Sequence, residues 1–328
     1  MNKKKSLYWQ VPLLAFLIVG TFFIARQNRK ETLAEQQQNA YQQDEGFIFG
    51  TVYHATYRNA TSLKTDIEAA LQQVDAEFSM FNEQSTVAAI NRGETPARST
   101  MFNEVYDLAQ QVCADTDGAF DITVAPLVNA WGFGFKNEQM PTPEQVDSLL
   151  KIRSQMDFSA IAKGYGCDVV ADMLRAHGVS DFMVEIGGEV VCQGHNPRGQ
   201  RWRVGVSKPK EDAAPDDAAD MQAVLHVDNA AMATSGNYRN FYYKGDRKYA
   251  HTIDPRTGYP VQHELLSATV LAPRCAVADA YATAFMVLGL KGAKQVLERH
   301  QEMKAYLIYT DANGRYAVWR SGDLSVEN

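Results

Sequence analysis

The sequence predicts an α+β protein, and three observations carry that prediction. Segments with strand alternation and segments with helical spacing are interspersed along the chain, without the regular strand–helix–strand units of a doubly wound sheet. From Asp181 to Tyr249 the chain consists of short strand patterns separated by Gly, Pro and Asn. About 280 residues remain after the N-terminal region, enough for one large core. We therefore expect a single globular domain over residues 46–328, with mixed or antiparallel sheets and packed helices.

The first elements belong to the N-terminus. Residues 1–6 are basic through Lys3, Lys4 and Lys5, and residues 7–25 carry no charge and only one clearly polar side chain, Gln10. A segment of this length and composition predicts one membrane crossing with the lysines inside. A cleaved signal peptide is the alternative, although Phe23 occupies a position where cleavage after Ala25 would need a small residue. Residues 26–45, rich in Gln and Glu, predict a stalk.

The globular part begins with a strand. Phe47 to Tyr57 alternates with period two, and Ile67, Leu71, Val74 and Phe78 then recur at helical spacing. Further helices are predicted around 105–112, 161–176, 277–288 and 292–299, and further strands over 266–271, 305–309 and 316–319.

Charge and cysteine content exclude some classes of function. A formal net charge of -7 argues against a nucleic-acid-binding protein. The four cysteines (Cys113, Cys167, Cys192 and Cys275) form no C-x-x-C pair and no metal-ligand spacing. They are interpreted as small buried residues, and the sequence places no disulfide among them.

The segment A-D-A-Y-A-T-A, Ala278 to Ala284, contains the first candidate site. On a helix, Asp279 and Thr283 are four residues apart and share one face. A carboxylate and a hydroxyl suit Mg²⁺, which commonly takes its other ligands from water and substrate phosphates. A purely structural role for both residues is the alternative.

The segment from Ala231 to Ile253, followed at once by D-P-R-T-G-Y-P, contains the second. Its small residues leave room for a ligand, and His251 precedes a turn near a strand end. Its near-neutral pKa would suit a general base, with a structural histidine as the alternative.

The segment D-F-S-A-I-A-K-G-Y-G-C-D, Asp157 to Asp168, contains the third. Asp157 or Ser159 is predicted to cap the following helix. Lys163 beside Gly164 at that helix N-terminus indicates an anionic ligand, although the P-loop spacing is absent.

Aromatic and glycine residues supply further candidates. Phe120, Trp131 and Phe133 could stack on a flat ring, or could belong to the core. Gly187 and Gly188 predict a hairpin turn first and a place of close ligand approach second.

Taken together, these segments resemble the ApbE family of FAD:protein FMN transferases, in the family's order from Gly46 to Trp319. The matching segments are F-G-T (49–51), F-S-M-F-N-E-Q-S (78–85), G-A-F-D-I-T-V-A-P-L-V (118–128), W-G-F-G (131–134), D-F-S-A-I-A-K-G-Y (157–165), G-G-E (187–189), T-S-G-N-Y-R-N (234–240), H-T-I-D-P-x-T-G (251–258) and A-D-A-x-A-T-A (278–284).

The resemblance implies a concrete reaction. Such enzymes bind FAD with Mg²⁺ and transfer its FMN half to a threonine hydroxyl of a partner protein, which forms a phosphoester and releases AMP. The expected partners are exported or membrane redox proteins, and the expected location is the cytoplasmic (inner) membrane, single-pass, with the catalytic domain on the extracytoplasmic side. The alternatives are Mg²⁺-dependent hydrolysis of FAD to FMN and AMP, or a membrane-tethered protein that only binds FAD.

The resemblance also assigns roles to residues. Asp279, Thr283 and the carbonyl of Ala160 would be metal ligands, and His251 would be the catalytic base. The expected FAD contacts are Phe49, Phe81, Ala119, Phe120, Asp121, Asp157, Lys163 and Ile253. Phe49 stands where many relatives have Met and Phe81 where some have Tyr, so a hydroxyl contact at Phe81 would be lost. The lipid-carrying cysteine frequent in the family is absent from this sequence.

Overall fold

A computed structural model describes residues 26, 40–133, 140–152, 154–209, 221–237, 241–244 and 247–327. Its strands are β1 (Tyr41–Ile48), β2 (Thr51–Arg58), β3 (Phe182–Ile186), β4 (Glu189–Gln193), β5 (Trp202–Ser207), β6 (Met221–Val227), β7 (Ala230–Gly236), β8 (Phe241–Lys244), β9 (Arg247–Ala250), β10 (Leu265–Ala272), β11 (Lys304–Thr310), β12 (Tyr316–Arg320) and β13 (Val326–Glu327). Its helices are α1 (Lys64–Phe78), α2 (Thr86–Asn91), α3 (Thr100–Asp115), α4 (Ala125–Ala130), α5 (Pro143–Leu149), α6 (Ala162–Ala176) and α7 (Cys275–Arg299), with a 3₁₀ turn at Ile122–Val124.

The centre of the domain is an eight-stranded sheet in the order β1-β2-β3-β4-β7-β10-β11-β12. Every neighbouring pair in it is antiparallel. A three-stranded sheet, β13-β6-β5, and the hairpin β8-β9 complete the strands of the described residues. The α+β prediction is confirmed, and the sheets are antiparallel.

The two faces of the central sheet have different partners because successive side chains of a strand point to opposite faces. On one face, called the inner face, Tyr53 and Val184 pack with residues of α1 and α6 such as Ile67 and Leu174. On the other, the outer face, Val190, Cys192 and Met232 pack with Trp202 and Leu225 of the small sheet.

The N-terminal strand differs from the prediction. Residues 47–57 form parts of two strands, with a turn at Phe49 and Gly50, whose φ angles are 51° and 75°. The first strand begins at Tyr41, and Asp44 accepts hydrogen bonds from the hydroxyls of Tyr57 and Ser62. Residues 41–45 therefore belong to the sheet, and the expectation that the stalk extends to residue 45 is wrong. The predictions for the membrane segment, the basic residues before it and residues 27–39 concern parts of the chain outside the described residues.

The two C-terminal helices are confirmed. The helices predicted over 277–288 and 292–299 follow one another in α7, with a break in helical geometry between them at Gly289, where φ is 69°. Within the described residues, α7 is the helix long and apolar enough to cross a membrane, but 67% of its apolar window is buried inside the domain. Its role here is that of a core helix.

The interpretation of the cysteines as buried residues is confirmed for three of the four. Cys167, Cys192 and Cys275 are buried, Cys113 is half-buried, and all four are free thiols.

Candidate active site

A cavity of about 1310 Å³ brings together segments that are far apart in the sequence. It lies at the junction of the central sheet, α6, α7 and the loops before α4 and β10. Eleven of the twelve residues assigned to the site line it: Phe81, Ala119, Phe120, Asp121, Asp157, Ala160, Lys163, His251, Ile253, Asp279 and Thr283.

Phe49 is the exception. Its half-buried side chain packs against the inner-face residues and against a second core cluster that includes Phe78 and Tyr165, and an added Cβ on Gly166 of α6 would lie 2.8 Å from its ring. The turn at residues 49 and 50 directs this ring onto α6, so Phe49 supports the helix that carries Lys163 and is not part of the cavity lining. A direct contact of Phe49 with FAD is therefore not supported.

The closest contact between α6 and α7 lies beside the cavity. An added Cβ on Gly164 would be 2.4 Å from the carbonyl oxygen of Cys275 and 2.8 Å from Cβ of Asp279, so only glycine fits there. The N–H of Gly164 donates to Oδ2 of Asp279 at 3.0 Å. The first turn of one helix thus fixes the carboxylate of the other.

A buried charge cluster, called the carboxylate–lysine cluster, consists of Lys163, Glu189 and Asp279. The ammonium of Lys163 is 3.4 Å from Oε2 of Glu189 and 4.0 Å from Oδ2 of Asp279, and both carboxylates are almost fully buried. Burial alone would lower the pKa of Lys163, but the two carboxylates outweigh it and raise that pKa above its usual range. Burial raises the pKa of both carboxyl groups, against the opposing effect of Lys163.

These contacts differ from the prediction that Lys163 binds an anionic ligand directly. The side chain lines the cavity, but its charge faces two carboxylates and its ammonium also donates to the carbonyl of Ser159 at 3.3 Å. It therefore stabilises the cluster before any ligand enters.

The donor set near Asp279 fits a hard divalent cation. Two carboxyl groups face one ammonium, and Oε2 of Glu189 accepts no well-formed hydrogen bond. The hydroxyl of Thr283 lies one helical turn from Asp279 and 3.1 Å from Oγ of Ser235. Ala160, whose carbonyl is the third expected donor, also lines the cavity. Oxygen donors of this kind suit Mg²⁺.

A site made of protein carboxylates and imidazoles alone is not formed. The described residues contain no group of three His, Cys, Asp or Glu side chains placed to hold a metal ion. A cation at Asp279 would need hydroxyl, carbonyl, water or substrate oxygens to complete its coordination, as Mg²⁺ commonly does.

The prediction that Asp157 or Ser159 caps α6 is wrong. The N-cap of α6 is Ile161, with no side-chain cap, so neither Asp157 nor Ser159 caps the helix. Asp157 instead accepts from the backbone N–H and the hydroxyl of Ser159, while its own N–H donates to the carbonyl of Ile122 at 2.6 Å. This turn positions Asp157, Ser159 and Ala160 along the cavity.

The aromatic residues divide between the two roles that the sequence leaves open. Trp131 is buried in a small cluster with Leu127, Val146 and Ile253, and its Nε1 donates to the carbonyl of Gly258 at 2.8 Å. Phe133 lines the cavity, with its ring edge-to-face against the imidazole of His251 at 6.4 Å between centroids. Phe120 is buried and also contributes to the lining.

The turn after His251 is rigid. The N–H of Gly258 donates to the carbonyl of Asp254 at 2.8 Å, and the same aspartate pairs with Arg256 at 2.8 Å. Gly258 has a φ of 80°, and an added Cβ would lie 2.5 Å from Val146. With Trp131 bonded to its carbonyl, this turn holds the backbone that presents His251 to the cavity.

Sequence reasoning missed three ionisable residues of the lining. Glu189, treated only as part of a G-G-E turn, faces Lys163 from β4, and His54 and Glu185 form a pair on the outer face. The available signal was a charged residue at each end of a glycine turn between apolar strands. The turn at Gly187 and Gly188 is confirmed, and both glycines line the cavity. Three matched residues, 238–240, and Gly134 lie outside the described residues.

Comparisons with known proteins agree with the geometry. The model of the ApbE family matches residues 49–307. The chain is 37% identical over 304 residues to a FAD:protein FMN transferase of Haemophilus influenzae, covering 82% of this chain and 86% of that protein. It is 32% identical over 343 residues to the FAD:protein FMN transferase of Escherichia coli K12, covering 94% and 95%. The solved structure of a flavin transferase ApbE from Vibrio cholerae matches with a TM-score of 0.76 and 32% identity, covering 86% of this chain and 97% of that one.

Proposed function

This chain belongs to the ApbE family, and from that premise we propose that it transfers the FMN half of FAD to a threonine side chain of a target protein in an Mg²⁺-dependent reaction. In the reaction, the threonine oxygen bonds to the phosphorus of the FMN half and the phosphoanhydride bond to AMP breaks. The hydroxyl proton passes to a base, and AMP leaves as the second product.

The observation that carries the proposal is a single cavity that joins two kinds of lining. Its volume, about 1310 Å³, exceeds the roughly 300–1,000 Å³ usual for pockets that bind drug-sized ligands, which leaves room for a dinucleotide and part of a second substrate. One part of the lining is the carboxylate–lysine cluster, and another consists of Phe120, Phe133 and His251. The first suits phosphates with a cation, and the second suits a flat ring beside a proton acceptor.

The residues then take separate roles. Asp279, Thr283 and the carbonyl of Ala160 would hold Mg²⁺, which supplies neutralisation of the charge on the phosphoanhydride oxygens. Lys163, kept charged by its two carboxylates, fixes the position of Asp279 and adds positive charge at the same place. His251 takes the threonine proton, since it lines the cavity beside Phe133.

The remaining lining residues would bind the dinucleotide. We assign Phe81, Ala119, Phe120, Asp121, Asp157 and Ile253 to its flavin and adenine rings and to its ribityl chain, on the strength of their place in the cavity. Asp121 is held for this by its bonds from the N–H and hydroxyl of Thr123, at 2.8 and 2.7 Å.

We place the reaction on the outer side of the cytoplasmic membrane. The apolar residues 7–25 behind three lysines support a single-pass anchor with the catalytic domain exported. The acceptors would then be exported or membrane redox proteins that carry an accessible threonine.

A mass measurement tests the proposal. The full chain is incubated with FAD, MgCl₂ and the soluble domain of a candidate redox protein, and the domain is then weighed. A gain of one FMN that is absent with Asp279→Ala supports transfer. Splitting of FAD without a gain on any candidate acceptor would instead indicate hydrolysis and would overturn the proposal.

A further inference from the structure

The cavity continues from the inner face of the central sheet onto its outer face, around the tip of the β3–β4 hairpin. Glu189 lies on the inner face, where it meets α6, whereas its neighbour Val190 packs in the outer-face cluster. Both line the cavity, as do the two glycines between the strands. The cavity therefore has two compartments that meet at this hairpin tip.

The outer compartment is lined by side chains that the reaction described above does not use. They are His54, Glu185, Val190 and Met232 of the central sheet and Val204 and Val206 of β5. We propose that this outer compartment receives the threonine-bearing segment of the acceptor protein, and that His54, held by Glu185, is its polar contact there. This inference rests on the proposed function and adds to it the place where the second substrate binds.

The first argument is the geometry of the histidine. Nδ1 of His54 is 2.7 Å from Oε2 of Glu185, and Oε1 of the same carboxylate accepts the N–H of Gly188 at 2.6 Å. The backbone of the hairpin turn thus fixes the carboxylate, and the carboxylate fixes the imidazole. Because the carboxylate accepts the proton of Nδ1, Nε2 is the ring nitrogen left to meet a polar group of the acceptor protein.

The second argument is charge. Oε2 of Glu45 is 3.8 Å from Nε2 of His54, so two carboxylates flank one imidazole. The diphosphate of FAD would be repelled by this arrangement, whereas the inner compartment offers the ammonium of Lys163 and oxygen donors for a cation. An uncharged polypeptide segment with a hydroxyl or amide donor fits the outer compartment better.

The third argument is the surface next to the histidine. Val52, two residues before His54 on the same strand face, lines the cavity and pairs across the hairpin with Phe47. Both are apolar and exposed, Phe47 at 73% and Val52 at 44%. An apolar surface continuous with a reaction cavity is typical of a protein interaction site. It would contact the residues of the acceptor that flank the threonine.

The fourth argument is that transfer needs two substrates at once. The dinucleotide occupies the inner compartment, where Asp279 and His251 lie, and the acceptor must reach its phosphates from a side open to solvent. The His54 side chain is 54% exposed, so the outer compartment is such a side.

The experiment compares two histidines of similar surroundings. His54→Ala removes the proposed contact, and His177→Ala is the matched control, because His177 is also exposed and paired with a carboxylate, Asp66, but lies outside the cavity. The probe is the acceptor domain that the full-length wild-type chain flavinylates. Steady-state transfer gives the KM for this domain and for FAD, and quenching of flavin fluorescence gives the affinity for FAD.

The expected result is an increase of about tenfold in the KM for the acceptor with His54→Ala, and no change with His177→Ala. The affinity for FAD and its KM remain at the wild-type level in both. Glu185→Gln should raise the acceptor KM as well, because the Gly188 N–H holds the remaining oxygen, so an amide NH₂ would face Nδ1 and the imidazole would lose the carboxylate that holds it.

Two results would overturn the assignment of the outer compartment to the acceptor and leave the proposed function standing. One is an acceptor KM that stays unchanged in His54→Ala and Glu185→Gln, and the other is a rise in the KM for FAD instead, which would place part of the dinucleotide in the outer compartment. Absence of transfer by the wild-type chain to every candidate acceptor is a different result, since it overturns the proposed function and this inference together.

Discussion

Replacing Gly164 by alanine tests whether the contact between α6 and α7 builds the active site. The added Cβ would lie 2.4 Å from the carbonyl oxygen of Cys275 and 2.7 Å from its carbon, both of them backbone atoms. That is about 1 Å short of ordinary van der Waals contact, so the two helices must move apart. The movement would lengthen the 3.0 Å bond from the Gly164 N–H to Asp279.

The cost follows from these contacts. Overpacking a tight interior costs about 1–3 kcal/mol, and losing a hydrogen bond to a charged group costs about 1.5–3 kcal/mol. Alanine gains about 1 kcal/mol over glycine in a helix, so the net destabilisation should be roughly 2–5 kcal/mol. At about 2–4 °C per kcal/mol for a domain of this size class, the melting temperature should fall by roughly 4–20 °C.

Gly166→Ala is the matched control, two residues along the same helix. There the added Cβ would meet the ring of Phe49 at 2.8 Å and the end of Ile186 at 3.2 Å, which are side-chain atoms that can turn away. The same gain in helix propensity should nearly offset that strain, with a net change within about 1 kcal/mol. Thermal unfolding of the purified variants gives the comparison. Equal melting temperatures for the two variants would refute the claim that the backbone of Cys275 limits the approach of α6.

Four further outcomes are expected. MgCl₂ should raise the melting temperature of the wild type, as any ligand of the folded state does, but not that of Asp279→Ala, and an equal rise in both would remove Asp279 from the cation site. His251→Ala should keep its affinity for FAD in a fluorescence titration and lose about 100-fold or more in turnover, whereas an unchanged rate would exclude His251 as the base. Trp131→Phe should lower the unfolding free energy by about 1–3 kcal/mol in a urea titration, because it leaves the buried carbonyl of Gly258 without its donor, and wild-type stability would contradict this. Burial alone would lower the pKa of His300, but Glu302 and Asp115 outweigh burial and raise that pKa in the folded state. The stability that protonated His300 contributes is therefore complete below about pH 6.5 and is lost as the pH rises through the higher folded-state pKa. The melting temperature of His300→Gln should therefore fall further below that of the wild type at pH 5.5 than at pH 8.5. An equal difference at both pH values would contradict the dependence of stability on the protonation of His300.

The helical part of the site could be predicted from the sequence because its information is local. Asp279 and Thr283 are four residues apart on an apolar helix, and that spacing alone places them on one face. The strand at residues 47–57 was mistaken for one element because the alternation of apolar and polar residues continues through the turn. Gly50 is the one residue type in that turn that indicates it, because a positive φ at Phe49 is not expected from the sequence.

The capping error at Asp157 has a different cause. The residue type suits a helix N-cap, and the helix does begin nearby, but the loop makes an additional turn before α6 and Ile161 takes that position. A side chain that bonds to the backbone two residues on competes with capping, and here the bond to Ser159 prevails. Such a choice depends on the contact of residue 157 with Ile122 across the chain, which no local pattern contains.

The polar residues of β3 and β4 show why the second compartment could not be predicted and why it follows from the fold. The two-residue turn pairs Glu189 with Ile186, so Glu185 and Glu189 lie on opposite faces of one hairpin. Their partners are not local: Lys163 comes from a helix, and His54 lies 131 residues before Glu185. The pairing of β2 with β3 brings His54 to Glu185 on the outer face. The helices that cover the inner face bring Lys163 to Glu189. A change at Glu189 should therefore affect binding of the cation and FAD, and a change at Glu185 binding of the acceptor, because the hairpin that joins the two compartments also keeps their charges apart.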